Sequence, residues 1–210
     1  MDSKKCTIMG GRVLEYSAGM VSCLFWLSET RKTAELLIDG KDKNEIKGLA
    51  IKENIYQVRA ADRAIRIFGV AVKRIESLPE NLINHIAKGD IGTAKLFVLL
   101  SILKTDLLFF EFVHEVYRQA IILGENKITD RNINNFFDIK IAQSEVVAKW
   151  SDSAIKKLKQ CYIKMLFEAG VLYSAIGERK IIISPVDYKL KKILNDNNLK
   201  VYLIAITGEE

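Results

Sequence analysis

Apolar positions along the chain recur mostly at helical spacing. From a Ser28 cap a first helix is predicted to residue 38, closed by Asp39 and Gly40, and Asp42 caps a second that carries Ile46, Leu49 and Ala50 on one face. Residues 58–75 predict a third helix, with Ala61, Ile65, Phe68, Val72 and Ile75 as its inner stripe. A short helix over 80–87 follows Pro79, and residues 90–103 are apolar nearly all round, as in the central helix of a bundle. Thr105 or Asp106 caps the next helix, which is expected to end near residue 123 at Gly124. The stretch through Gly11 carries no structural signal and is expected to stay loose.

Beyond Gly124 the pattern changes. A short helix is predicted over 129–137 and another over 144–150. Ser151 then caps a long helix ending at Ala169, with Gly170 as its left-handed cap. Two β-rich runs, 171–174 and 180–184, are joined by a five-residue loop containing Gly177, which predicts a hairpin over about 171–184. A helix over 187–194 follows, and the tail at 199–206 is too short for periodicity to distinguish helix from strand. Helix, short helix, long capped helix and hairpin is the order of a winged helix. The expected fold is therefore mainly α, a helical bundle over 1–125 followed by a winged-helix-like part over 126–210.

Composition is that of a globular chain of 210 residues, 49% hydrophobic and 28% charged. The apolar runs at 96–103 and 107–113 are interrupted by Lys104 and Asp106 and fall short of the roughly 20 residues that span a bilayer. The charged start gives no signal-peptide pattern. Cys6, Cys23 and Cys161 are too scattered for a disulfide framework or metal knuckle, and suit a reducing cytoplasm. A protein recovered without detergent is expected.

The net charge of +6 is unevenly placed. Residues 149–200 hold eleven Lys or Arg against five Asp or Glu, and residues 52–75 hold six against two. Within the second segment, Arg59, Arg63, Arg66 and Lys73 fall on the side opposite the apolar stripe. On the long helix Ile155, Leu158, Tyr162, Met165 and Ala169 form the inner side, while Ser153, Lys156, Lys157, Gln160 and Lys164 cluster outside. Arg179 and Lys180 sit at the hairpin tip. These side chains suit phosphate and base-edge contacts, so both sets are candidate DNA-binding residues. Either could instead be an ordinary solvated face.

No catalytic constellation is visible. Met9-Gly10-Gly11-Arg12 lacks the phosphate-loop frame, and no Ser or Cys stands in a nucleophile context. Glu111 and His114 have the spacing used by helical di-iron proteins, but the only other histidine, His85, has Glu80 five residues before it rather than three, so a surface stripe of Glu111, His114, Glu115 and Arg118 is expected. Phe109, Phe110, Phe112 and Tyr117 are expected to pack rather than to stack on bases. No cofactor, metal or enzymatic activity (nuclease, methyltransferase or ATPase) is expected.

Several short stretches together carry a family resemblance: Glu15-Tyr16-Ser17-Ala18-Gly19, Glu29-Thr30-Arg31, Glu53-Asn54-Ile55, the run at 107–113, Trp150-Ser151, and Ala169-Gly170-Val171-Leu172. Over nearly the whole chain the sequence resembles the BrxA family of BREX (bacteriophage exclusion) phage-defence systems. The resemblance implies a helical, cytoplasmic, DNA-binding component, partly similar to the antitermination factor NusB, working beside other BREX proteins; it brings no site residues with it. Double-stranded DNA is the expected partner. The alternatives are a protein-interaction adaptor within the BREX assembly, its basic faces meeting acidic surfaces, and RNA binding in the manner of NusB.

Overall fold

The computed structural model describes residues 7–9, 12–183 and 185–209. Cys6, Gly10, Gly11 and Ser184, which enter the readings above, lie outside the described residues. The fold is mainly α. By proximity of Cα atoms it divides into one unit of residues 23–101 and another of 1–22 with 102–210, rather than at residue 125. The division falls there because the helical run that starts at residue 107 packs against the C-terminal helices. Part of the segment expected to stay loose is ordered: β1 (Thr7–Met9) pairs antiparallel with β2 (Arg12–Leu14).

The unit of residues 23–101 holds α1 (Leu27–Ile38), α2 (Lys43–Lys52), α3 (Ala61–Ser77), α4 (Ile83–Ala87) and most of α5 (Ile91–Thr105). Asp42 forms a full capping box with Glu45 at the start of α2, as its sequence predicts. Ser28, by contrast, is not a cap. The cap position of helix α1 lies two residues earlier, at Trp26, which takes left-handed backbone angles (φ 51°) and offers no side-chain bond. What holds this entry is Arg74. The residue is 3% exposed, and its guanidinium donates to the carbonyls of Phe25 (2.6 Å) and Leu24 (2.8 Å) and lies 5.9 Å from the Trp26 ring centroid.

Arg74 also lies on the buried side of α3. The buried side is Ala64, Ile67, Phe68, Ala71, Val72, Arg74 and Ile75, while Ala61 and Ile65, expected inside, are exposed. Phe68, Val72 and Ile75 are buried as expected, and the apolar stripe shifts toward Ala64, Ile67 and Ala71, with Arg74 buried beside it. Nearby, Arg31 donates to the carbonyls of Ala87 (3.2 Å) and Gly89 (3.0 Å), closing the end of α4. A Cβ on Gly89 would meet the His85 carbonyl oxygen at 2.3 Å, so no other residue fits there.

The second unit continues with α6 (Leu107–Phe112), a π-helical turn (Val113–Tyr117) and α7 (Arg118–Ile122), an unbroken run capped by Asp106. The expected single helix thus contains one widened turn, a feature hydropathy does not encode. Strand β3 (Lys127–Ile128) follows, then α8 (Asp130–Gln143), α9 (Glu145–Ala148) and α10 (Asp152–Ala169), each capped by the Thr or Ser before it. Helix α8 extends six residues past its expected end. Strand β4 (Arg179–Lys180) pairs antiparallel with β3, and a single antiparallel bridge joins Leu172 to Ile181. The expected two-stranded hairpin is therefore one bridge wide, and its second arm is shared with a strand from before α8. Helix α11 (Tyr188–Asp196), capped by Asp187, and α12 (Lys200–Thr207) complete the unit, which resolves the ambiguous tail as helix.

An aromatic cluster holds this unit together. Tyr162 of α10 lies 4.9 Å from Phe109, 5.3 Å from Phe112 and 5.7 Å from Phe137, centroid to centroid, and Phe136 meets Phe112 edge-on at 5.2 Å. Such pairs each add about 0.5–1.5 kcal/mol to the burial of their area. Helices α6, α8 and α10 are thereby locked at one rotational setting.

The expected surface stripe of Glu111, His114, Glu115 and Arg118 is only partly at the surface: Glu115 is exposed, and Glu111, His114 and Arg118 are half-buried. Lys140 of α8, its side chain 6% exposed, places Nζ 2.7 Å from both Glu111 and Glu115, and the Tyr16 hydroxyl donates to Glu111 at 2.7 Å. Burial and the Glu111 carboxylate push the Tyr16 hydroxyl far up, so it stays protonated.

Three outcomes are expected from these contacts. Arg74→Met leaves two inward carbonyls without a donor and destabilises the chain by about 3 kcal/mol in a denaturant titration. Lys140→Met leaves the half-buried Glu111 without its counter-charge, with only the Tyr16 hydroxyl as donor, and costs about 2–3 kcal/mol, while Lys32→Met, at an exposed i,i+3 pair with Glu35, costs less than about 0.5 kcal/mol. His114 is held below its ordinary value by burial, then by Arg118, against an opposing pull from Glu115. Its contribution to stability is therefore present above pH 6.5 and lost as pH falls through its lower folded value. His114→Gln should flatten the fall in melting temperature between neutral and mildly acidic pH.

Candidate nucleic-acid interface

The long helix α10 is built as its sequence predicts. Ser151 Oγ accepts from the Ala154 amide (3.3 Å), and Gly170 closes the helix at φ 83°. Ile155, Leu158, Tyr162 and Met165 are buried, joined by Ile163 and Leu166. With that side fixed, Ser153, Lys156, Lys157, Gln160 and Lys164 are all exposed.

Three of these share one concavity. Lys156, Gln160 and Lys164 line a groove of about 620 Å³ between α10, the first turns of α8 and the loop before β4, whereas Lys157 lies outside it. The floor includes Ile133, Ile163 and Phe167, and Lys159 and Arg179 complete a basic rim in which Asp130 is the one acidic lining residue. A groove walled by cations over an apolar floor concentrates positive potential where a polyanion can enter.

The charged groups are not equally available. Lys164 stands 3.6 Å from Glu168, one helical turn on, and keeps half its side chain in water. Lys180 is exposed and 3.4 Å from Glu178, whose carboxyl is held below its ordinary value by Lys127 and Lys180. Arg179 departs from its expected role as a tip contact. The register pairs it with Ile128, so its guanidinium reaches Asp130 at 2.9 Å and its side chain is only 17% exposed. It is a strut between β4 and α8 before it is a contact. Lys159, which the sequence reading passed over, donates to Asn134 (2.8 Å) and lies 5.4 Å from the Phe137 ring centroid. Its place three residues after Lys156 could have flagged it, but its partner Asn134 is 25 residues away in sequence.

The other basic set sits in the unit of residues 23–101. Arg63, Arg66 and Lys73 are exposed along α3. Arg59 is exposed too but precedes the helix, whose N-cap is Ala60, so the i, i+4 relation to Arg63 does not place it on the same face. Arg74, counted in the charge excess of this segment, is the internal strut described above. Among the described residues no group of three or more His, Cys, Asp or Glu is placed to hold a metal ion, and no helix is long and apolar enough to cross a membrane.

Comparison with known proteins places this architecture. The model of the BrxA family matches residues 14–198. A protein of Bacillus cereus (strain H3081.97) described as BREX protein BrxA is 45% identical over 153 residues, 73% of this chain and 76% of that one. A protein of Escherichia coli O9:H4 (strain HS) with the same description is 25% identical over 142 residues, 68% of this chain and 67% of that one. The fold matches the crystal structure of an uncharacterized protein from Magnetospirillum magneticum with a TM-score of 0.78 at 20% identity, covering 92% of this chain and 99% of the other. With 45% identity to one such protein and a family match spanning nearly its whole length, the chain belongs to the BrxA family of BREX proteins.

Proposed function

We propose that this chain is a non-enzymatic, DNA-binding component of a BREX phage-defence system, and that it holds the duplex through the exposed side of α10. The observation that carries the reading is the row Lys156, Gln160 and Lys164 on a helix whose opposite side is fixed by the aromatic cluster, all three facing one basic groove. Lysines on this face suit phosphate contacts, and an exposed amide such as Gln160 can address a base edge.

The order of elements supports a winged-helix reading. Helix α7, strand β3, helices α8 and α10, and then the two arms at Leu172 and Ile181 follow one another, with β4 lying between β3 and the Leu172 arm. In that arrangement α10 enters the major groove and the loop at 174–178 approaches the backbone. The relatives' description as BREX proteins supports the place in phage defence. A protein-adaptor role has one observation in its favour: Ile133, Ile163 and Phe167 on the groove floor suit an amphipathic acidic segment.

The test is a titration of duplex DNA at several salt concentrations. Affinity should fall steeply with salt, with a slope near −0.9 per phosphate contact, and depend little on sequence. Replacing Lys156, Lys157 and Lys164 together by Glu should reduce affinity at least about 100-fold with melting unchanged, since each side chain is exposed. The set Arg63, Arg66 and Lys73 is tested in the same way and independently. If the α10 variant melts normally and binds duplex like the parent, the assignment to α10 is wrong, and if both triple variants do so, the DNA-binding reading falls.

A further inference from the structure

The loop between the Leu172 arm and β4 presents an apolar side chain that the fold does not use. Ile176 is 86% exposed at its tip, and Tyr173 at its base is 73% exposed. The loop is nonetheless held in shape. Ser174 Oγ accepts from the Ile176 amide (3.1 Å) and donates to the Ile176 carbonyl (2.6 Å). Gly177 turns the chain back at φ 71°, and the Tyr173 amide donates to the Lys180 carbonyl at 2.9 Å. Below the tip, the ion pair of Arg179 with Asp130 ties the second arm to α8.

A β-branched side chain has few rotamers to lose, and a loop fixed by its own hydrogen bonds has little backbone freedom left to freeze. An isoleucine displayed in this way is organised for contact rather than for packing. Its surroundings indicate the kind of partner. Ile176 borders the groove whose rim carries Lys156, Lys159 and Lys164, and Lys180 follows it on the strand. The one carboxylate of the loop, Glu178, is paired with Lys127 and Lys180, and an apolar tip beside a basic rim matches the side chains that proteins push between base pairs from the minor groove while neighbouring cations hold the phosphates.

Resting on the DNA-binding reading above, we propose that the loop 174–178 is a wedge: Ile176 enters the minor groove, partly unstacks one base step and bends the duplex. Two consequences follow. The chain should prefer sites with a central flexible TA step to sites with a central GC step, although no base edge is read there. Bending and the added affinity for the TA duplex should depend on Ile176, whereas attachment to any duplex should depend on the α10 lysines.

The experiment uses the full chain and a duplex of about 24 base pairs labelled with a donor and an acceptor at its ends, with either a TA or a GC central step. The parent should bring the ends closer and bind the TA duplex more tightly. Ile176→Ala, with unchanged melting, should bind the TA duplex about tenfold more weakly, leave the end-to-end distance near that of free DNA and lose the TA preference. Ile176→Leu should restore bending. If the parent binds no duplex, the DNA-binding reading falls and the wedge with it. If the parent binds and Ile176→Ala bends the duplex equally, the wedge alone is overturned.

Discussion

Everything proposed for the larger unit depends on how Tyr162 is packed. Its ring is fully buried against Phe109, Phe112 and Phe137, and its hydroxyl has no hydrogen-bond partner among the described residues. An unpaired buried hydroxyl costs about 1–3 kcal/mol, and burial drives its acidity well below the ordinary tyrosine range. The ring contacts outweigh that cost, and in return α10 has a single rotational setting. Because a helix repeats every 3.6 residues, fixing Tyr162 and Leu158 inward fixes Lys156, Gln160 and Lys164 outward. Precision on the basic side is thus a product of packing on the other.

A second constraint is that a charge taken out of water must be partnered. Arg74, Lys140 and Arg179 each meet this requirement differently: on two backbone carbonyls, between two carboxylates, and on one aspartate. All three join segments far apart in the chain. The positive charge free to attract a polyanion is therefore smaller than the formal excess, but it is better placed, since what remains is concentrated on exposed helix sides and around one groove.

The stretches that carry the family resemblance turn out to hold structural duties. Arg31 closes α4, Tyr16 bonds Glu111, Ser151 caps α10 and Gly170 ends it. Asn54 takes a left-handed backbone (φ 49°) and its side chain accepts from the Val58 amide at 2.8 Å, shaping the approach to α3. These positions shape the backbone on which the basic side chains are displayed.

The sequence by itself determined what is local. The caps at Asp42, Thr129, Ser151 and Asp187, the stops at Gly124 and Gly170, the inward stripe of α10 and the outward lysines all follow from interactions within a few residues. The tertiary structure decided what depends on partners distant in the chain. Arg74 and Arg179 read as surface cations until Phe25 and Asp130, each 49 residues from its arginine, are brought beside them. Lys140 becomes internal only when α6 and the π turn set Glu111 and Glu115 against α8. Strand β3, two residues long, exists only because β4 lies next to it, and the groove beside Lys156 and Lys164 takes Ala175, Ile176 and Arg179 of its lining from the segment that this pairing positions. Periodicity reports which side of a helix is apolar, but a polar atom's burial is settled by the atom it meets, and that atom can lie anywhere in the chain.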